Sequence, residues 1–499
     1  MIHKFSIDGE NVVLDVNSGA VHIFDDLSFA LLSCIAEDNG ADSSISGNIG
    51  DGVDDGIRGE AGGGVNGGVN GEAGGGVDSG INGGADIGAV RFSQIPKALT
   101  KEYEKKDIDE AAEEIRQLIS EGLLFCGDQN DEEIVAIEMT HVFKSLCLHM
   151  AHDCNMRCGY CFASNGSFGL RKELMSFDIA KKSIDFVVEF SKDRRNLEID
   201  FFGGEPLLNF DVIQKTVDYA RERELESGKK FRFTLTTNGL LLGDRNIDYI
   251  NQNMDNIVLS LDGRMEVNDK MRKLLDGRGS YNVVLPRFKK IVNKRGGKNY
   301  YIRGTYTALN KDFMEDVLHL ADLGFDQISV EPVVTPEDKS LRFDAADVDY
   351  LKNQYEALAR EYKKRIAAGN GFNFFHFMVD LSHGPCLSRR ITGCGAGYEY
   401  AAVTPSGDIY PCHQFVGRND MRIGSVYTGI TRDDTVNMFK KANVYNMDKC
   451  KTCWAKFHCS GGCAANAFAI NGSIFEPGDI YCELVKKRLE CAFWIGATL

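Results

Sequence analysis

Hydrophobic positions along this chain follow two periods, and the switching between them predicts most of its architecture. Between Lys144 and Glu331, strand-like apolar runs at 145–150, 197–202, 231–237, 256–261, 301–306 and 327–330 are separated by amphipathic stretches beginning near Phe177, Phe210, Asn246, Asn282 and Asp312. Strands taking turns with helices predict a parallel sheet with helical crossovers. Ahead of it lie three shorter strand signals at 4–7, 12–15 and 21–24, with Asp8-Gly9 and Asn17-Ser18-Gly19 as turns. A helix starting at Asp26 or Ser28 runs through Phe29-Ala30-Leu31-Leu32. A second carries Ile108, Ala111, Ala112, Ile115, Leu118 and Ile119 and stops at Gly122.

Between these two helices, residues 38–90 are dominated by glycine, aspartate, asparagine and small residues, and Gly-Glu-Ala-Gly-Gly-Gly-Val begins at Gly59 and again at Gly71. So few apolar groups cannot offset the entropy of ordering so much glycine, which predicts a disordered insertion looping out of the N-terminal domain. The sharper alternative, a calcium-binding glycine repeat, lacks the regular Gly-Gly-x-Gly-x-Asp register.

Length and charge narrow the function. At 499 residues the chain exceeds what one core usually serves, so two or three domains are expected. No apolar run is long enough to span a bilayer and the start has no signal-peptide core, so the expected location is the cytoplasm, away from any membrane. A formal charge of -16 opposes a phosphate backbone and argues against nucleic acid as a partner. Of the 15 cysteines, 13 lie at or beyond Cys147, in clustered short spacings that read as metal binding rather than disulfides.

The chemistry concentrates in His152-Asp153-Cys154-Asn155-Met156-Arg157-Cys158-Gly159-Tyr160-Cys161-Phe162. Three thiolates can hold three irons of a cubane and leave the fourth open, whereas structural zinc or cluster sites take four closed ligands. The C-x3-C-x2-C spacing with Tyr160 before the last cysteine resembles the signature of the radical S-adenosylmethionine (SAM) enzymes. One strand–helix unit later comes Phe202-Gly203-Gly204-Glu205-Pro206, which resembles that family's GGEP motif. The resemblance implies an open (β/α)6, TIM-like barrel with its site at the carboxyl ends of the strands. It implies that Gly203, Gly204 and Glu205 meet the SAM amino group, with Tyr160 counted among the cofactor-binding residues. Ser260 and Asp262 are then expected near the ribose or carboxylate, and Arg272 as a partner for the carboxylate. For Asp262 and Arg272 the turn-forming and helix-capping reading stands beside this one.

The C-terminal part supplies Cys386, Cys394, Cys412, Cys450, Cys453, Cys459, Cys463 and Cys482, a spacing that resembles the SPASM extension of radical SAM enzymes. By that resemblance Cys386, Cys394, Cys412 and Cys463 hold an inner auxiliary cluster, and Cys450, Cys453, Cys459 and Cys482 an outer one. Cys386 stands outside the seven-cysteine core of the pattern, which leaves the alternative of an inner cluster open to a substrate thiol. Two zinc ribbons are the plain structural alternative. Cys34, Cys126, Cys147 and Cys491 have no ligand spacing and read as core residues, while His413 and His458 read as packing groups beside cluster cysteines.

Together with Gly393-Cys394-Gly395-Ala396-Gly397-Tyr398-Glu399-Tyr400 and Tyr410-Pro411-Cys412-His413-Gln414-Phe415, these motifs resemble the SCIFF peptide maturases. The expected organisation is a small α+β, winged-helix-like peptide-recognition domain at 1–125 interrupted by the insertion, a radical SAM core at 140–335, bridging helices at 336–385 and a SPASM domain at 386–499. The implied cofactors are SAM and three 4Fe-4S clusters. The implied partners are a small cysteine-rich precursor peptide with a leader and an electron donor such as flavodoxin or ferredoxin. The implied reaction uses a 5'-deoxyadenosyl radical to remove a hydrogen from the peptide and joins a cysteine sulfur to the resulting carbon radical. The runner-up is a sulfatase maturase that makes formylglycine; an iron-sulfur electron carrier or zinc scaffold is the alternative of another class. Loop-closure cost grows slowly with length. Deleting residues 39–88 and joining the ends should therefore leave peptide modification nearly intact; its loss in a folded variant that still cleaves SAM would assign the insertion to substrate binding.

Overall fold

The computed structural model describes residues 1–38, 98–127, 142–334, 338–381 and 391–499. The glycine insertion expected at 38–90 falls almost wholly outside these residues, as does Cys386. The chain forms two compact units, Met1–Gly127 and Asp128–Leu499.

The first unit is α+β. Strands β1 (Ile2–Ile7), β2 (Glu10–Asp15) and β3 (Val21–Phe24) form an antiparallel sheet in that order. Asp8 and Gly9 both take positive φ, 52° and 77°, the pair of left-handed residues that a two-residue hairpin turn requires. The second turn is held by the buried Asp15 carboxylate, which accepts from the N–H groups of Asn17, Ser18 and Cys126 at 3.1, 2.8 and 3.1 Å. Helices α1 (Asp26–Asp38), α2 (Leu99–Glu102) and α3 (Lys105–Ser120) follow. Ile108, Ala111 and Ile115 form one stripe of α3 and pack with Leu27, Leu31 and Leu32 of α1 and Val13 of β2, so the 3.6-residue period becomes the core of this unit.

The second unit is built on a parallel sheet. Its strands and helices run β4 (Ser145–Ala151), β5 (Met156–Cys158), α4 (Phe177–Phe190), β6 (Asn196–Gly203), α5 (Phe210–Ser227), β7 (Lys230–Thr237), α6 (Asp244–Asn253), β8 (Asn256–Ser260), α7 (Met265–Met271), β9 (Arg272–Leu274), α8 (Tyr281–Asn293), β10 (Asn299–Tyr306), α9 (Phe313–Asp322) and β11 (Gln327–Pro332). Then come the long helix α10 (Val348–Ala367) and the short β12 (Asn373–Phe374). The order β12-β11-β10-β8-β7-β6-β4 is parallel throughout.

Parallel sheets with both faces dry usually read as unbroken apolar runs. Here β6 alternates instead: Leu197, Ile199 and Phe201 are buried, while Glu198, Asp200 and Phe202 point to the other face. The same alternation places Tyr301, Arg303 and Thr305 of β10 opposite Tyr300, Ile302 and Tyr306. The apolar face lies beneath the helices, and the polar face lines an interior lumen.

Beyond this sheet the chain adds β13 (Tyr400–Val403), β14 (Asp408–Tyr410), β15 (Gly424–Ser425) and β16 (Gly429–Ile430), then α11 (Asp433–Lys441), α12 (Asp448–Lys451), α13 (Lys456–Cys459), α14 (Ala464–Asn471) and α15 (Asp479–Thr498). β13 pairs parallel to β4 with Leu146 opposite Ala401, so the cysteine-rich extension continues the same sheet and covers its open edge. α15 returns against α10, where Lys352 and Lys487 reach Glu483 and Glu356 at 2.6 and 2.8 Å. Among the described residues no helix is long and apolar enough to cross a membrane.

Candidate iron-sulfur and SAM site

The loop that follows β4 is braced from three sides. β5 pairs antiparallel with β9, placing Cys158 opposite Arg272, and the Gly159 N–H donates to Met271 O at 2.9 Å. The Arg157 guanidinium donates to the carbonyls of Cys154 and Met156 at 2.9 and 2.7 Å, tying the loop to its own backbone. Asp153 pairs with Lys172 at 2.7 Å and accepts from the Cys154 N–H at 2.9 Å.

The third brace is the glycine pair at the end of β6. A Cβ on Gly203, whose φ is +122°, would stand 2.4 Å from Ala151 O, and one on Gly204 would stand 2.1 Å from Asp153 O. Gly166 completes the contact, since its Cβ would fall 2.7 Å from Cys154 Cβ and 2.9 Å from Gly204 Cα. What these glycines admit is therefore the backbone of the cysteine loop itself. Hydrogen bonds from Gly204 N to Ala151 O (2.8 Å) and from Glu205 N to Asp153 O (3.0 Å) fasten it.

Glu205 is fully buried, and its carboxylate turns toward the end of β7. It accepts from Leu207 N at 3.1 Å, Thr237 Oγ1 at 2.8 Å and Asn238 N at 2.9 Å. Burial lifts its pKa to about 7 even against these three donors. The side chain thus locks the ends of two strands together.

Tyr160, Asp262 and Arg272 meet in one buried knot. The Tyr160 hydroxyl donates to both oxygens of Asp262 at 2.8 and 2.7 Å, and Arg272 Nε donates to Asp262 Oδ1 at 3.0 Å. Thr305 N adds a donor at 3.0 Å, and the guanidinium lies 5.5 Å from the centre of the Tyr160 ring. Burial pushes the Tyr160 pKa well up, so it donates as a neutral phenol. Asp262 accordingly holds Tyr160 and Arg272 in place. Ser260, half-buried at the end of β8, sits beside Arg303 in the β8–β10 register.

The donor set fits iron. Cys154, Cys158 and Cys161 interact electrostatically as one group, and burial pushes Cys154 and Cys158 up to about 11 and 12, so iron must displace their protons on binding. Among the later cysteines, burial raises Cys412, with Cys463 and Cys394 near enough to add to the shift. Burial raises Cys450 to about 12, with Cys459, Cys453 and Cys482 adding to it. Among the described residues no three Cys, His, Asp or Glu side chains converge to hold one metal ion.

Several groups escaped the sequence reading. Arg303 pairs with Glu331 at 2.6 Å on the lumen face, and both side chains keep substantial exposure, 49% and 37%, which marks the lumen as open. His376 Nδ1 accepts from Arg488 at 3.0 Å, which leaves its Nε2–H for Ser329 Oγ at 3.2 Å. Its Nε2 lies 3.9 Å from Glu331. His413, which the sequence marks as a packing group, lies on Phe162 and Phe202 with ring centres at 5.6 and 5.0 Å, and its Nδ1 is 3.1 Å from the Tyr400 hydroxyl. Charges at inward positions of otherwise apolar strands, Arg303 and Glu331, were the available signal.

Comparison with known proteins agrees with this geometry. The profile of a 4Fe-4S single cluster domain matches residues 145–286, and that of the SPASM iron-sulfur cluster-binding domain matches 394–454. The radical SAM cyclopropyl synthase TigE of Paramaledivibacter caminithermalis is 21% identical over 80% of this chain and 87% of its own length. A cysteine-type anaerobic sulfatase-maturating enzyme of Clostridium novyi is 24% identical over 68% of this chain and 92% of its own. An uncharacterized protein of Methanocaldococcus jannaschii is 32% identical over 28% of this chain, and this chain spans 46% of its length. The structure of native anSMEcpe with bound AdoMet has the same fold, with a TM-score of 0.58 at 20% identity, covering 70% of this chain and 96% of that one. The chain belongs to the radical SAM proteins that carry a SPASM iron-sulfur domain.

Removing one partner from a buried ion pair leaves the other charge uncompensated and costs about 3–5 kcal/mol. Asp262→Ala should lower stability by that amount in anaerobic denaturant titrations, and Tyr160→Phe by about 1 kcal/mol. Equal, small effects would show that the knot does not hold the loop.

Proposed function

We propose that this protein is a radical SAM maturase that installs cysteine-derived thioether cross-links in a small ribosomally made, cysteine-rich peptide of the SCIFF type. In this reading Cys154, Cys158 and Cys161 hold the SAM cluster, and the two later cysteine sets hold auxiliary clusters. When bound, cluster and SAM would supply a radical able to take one hydrogen atom from a peptide carbon; the cysteine thiol would lose its proton as its sulfur bonds that carbon, the surplus electron leaving to an auxiliary cluster. The backbone of Gly203 and Gly204 and the side chains of Ser260 and Arg272 orient SAM, with Tyr160 and Asp262 fixing Arg272.

Arg303 and Glu331 face the lumen with a donor fork and an ionised acceptor. Burial opposes the charge of Glu331, but Arg303 and His376 bring its pKa down to about 2. Such a pair matches the carbonyl and N–H of a peptide backbone, and it keeps the reacting residue oriented. A flavodoxin or ferredoxin is the proposed electron donor.

The observation that carries the reading is the separate N-terminal sheet with an open strand. Among the described residues β3 pairs only with β2. Asp15 N donates to Ala20 O at 2.9 Å, and with Val12 opposite Ile23 the ladder's alternation turns the Ile23 N–H and C=O outward. A leader peptide added as a further strand would use these groups. Formylglycine formation is the second reading, favoured by the sulfatase-maturating relative.

Anaerobically reconstituted protein should release 5'-deoxyadenosine from SAM under dithionite, and Cys154, Cys158 and Cys161 changed together to alanine should abolish this. Offered a synthetic cysteine-rich precursor peptide of the SCIFF type, it should yield a product lighter by two hydrogens per link; replacement of a thiol by a carbonyl oxygen would instead establish the second reading. In calorimetric binding, Ile23→Pro should weaken the leader at least several-fold, because it removes an outward donor. Unchanged affinity in a folded variant would place recognition elsewhere.

A further inference from the structure

Asn238 follows the last residue of β7 and belongs to neither the cysteine loop nor the glycine turn, yet it touches both. Its backbone N–H donates to Glu205 Oε2 at 2.9 Å. The residue is 8% exposed, and each polar function of its side chain is engaged. Oδ1 accepts from Leu240 N at 3.0 Å, Nδ2 donates to Asn155 Oδ1 at 2.8 Å, and Nδ2 lies 3.6 Å from Cys154 Sγ. The Leu240 N–H needs an acceptor, which fixes the orientation of the amide: the oxygen faces Leu240 and the NH2 group faces the sulfur.

We infer that Asn238 is a positioning residue that tunes the reduction potential at Cys154 through an N–H···S hydrogen bond. The inference rests on Cys154 being an iron ligand. A hydrogen bond to a ligating sulfur stabilises the more negative, reduced state and so moves the potential upward; such bonds are among the levers by which proteins set cluster potentials. Burial strengthens the effect, since little water competes for the sulfur. The same residue joins the sulfur to Glu205, and through it to the glycine turn proposed to receive SAM. The sulfur and the turn proposed to receive SAM are thus linked by one residue, through its side chain on one side and its backbone N–H on the other.

The test is a redox titration of the reconstituted holoenzyme followed by electron paramagnetic resonance, taking as the SAM-cluster signal the component whose spectrum changes when SAM is added. Asn238→Leu replaces the amide by an apolar group of similar shape. Asn238→Ser keeps an acceptor for Leu240 N but is too short to reach the sulfur, so it serves if the leucine variant does not fold. In both, the midpoint of the SAM-responsive component should move to more negative potential while components indifferent to SAM stay in place. An unchanged or more positive midpoint in a folded variant overturns the inference. A SAM-responsive component that survives Cys154→Ala overturns the ligand reading, and this inference with it, and so separates the two failures.

Discussion

The site depends on a contact in which backbone meets backbone with no room for a side chain. The end of β6 presses Gly203 and Gly204 against Ala151 and Asp153, and Gly166 closes on Cys154 from another side. Any Cβ at these places would sit at less than van der Waals distance from main-chain atoms that cannot swing away. The cysteine loop is thereby cast against a rigid strand end, although loops of its length are ordinarily mobile. Two buried carboxylates extend this rigidity outward, Glu205 binding the glycine turn to β7 and Asp262 binding Tyr160 and Arg272 to β10.

The Glu205 carboxylate shows how little a motif says about the surroundings of its side chain. A glutamate after two glycines suggests a free counter-charge, yet three donors from Leu207, Thr237 and Asn238 surround it. Burying an ionised group without such partners would cost several kcal/mol, so its environment had to supply them. Two of the donors, Thr237 and Asn238, come from the end of the next strand of the sheet, and nothing in the local sequence points to them.

The sheet itself was legible because alternation of polar and apolar residues survives wherever one face lines a lumen, as in β6 and β10. Cysteine spacing likewise carried the chemistry, since ligands from a single loop must lie close in sequence. Pieces made by distant pairing were not legible. β5 and β9 are three residues each and are defined only by one another. The pairing of β13 with β4 joins residues far apart in the chain, and the meeting of Arg303, Glu331, His376 and Arg488 draws on three strands' surroundings and the C-terminal helix.

That pairing of β13 with β4 also bears on how freely such enzymes exchange parts. Tyr400, Ala401, Ala402 and Val403 are in register with Ser145, Leu146, Cys147 and Leu148, the strand that leads directly into the cysteine loop. A slip of one residue would turn every side chain of β13 to the opposite face. The cysteine-rich extension is therefore not a detachable cassette. A chimera that grafts another extension onto this core inherits a shared hydrogen-bond ladder, and its first requirement is to preserve that register, whatever the grafted cysteines hold.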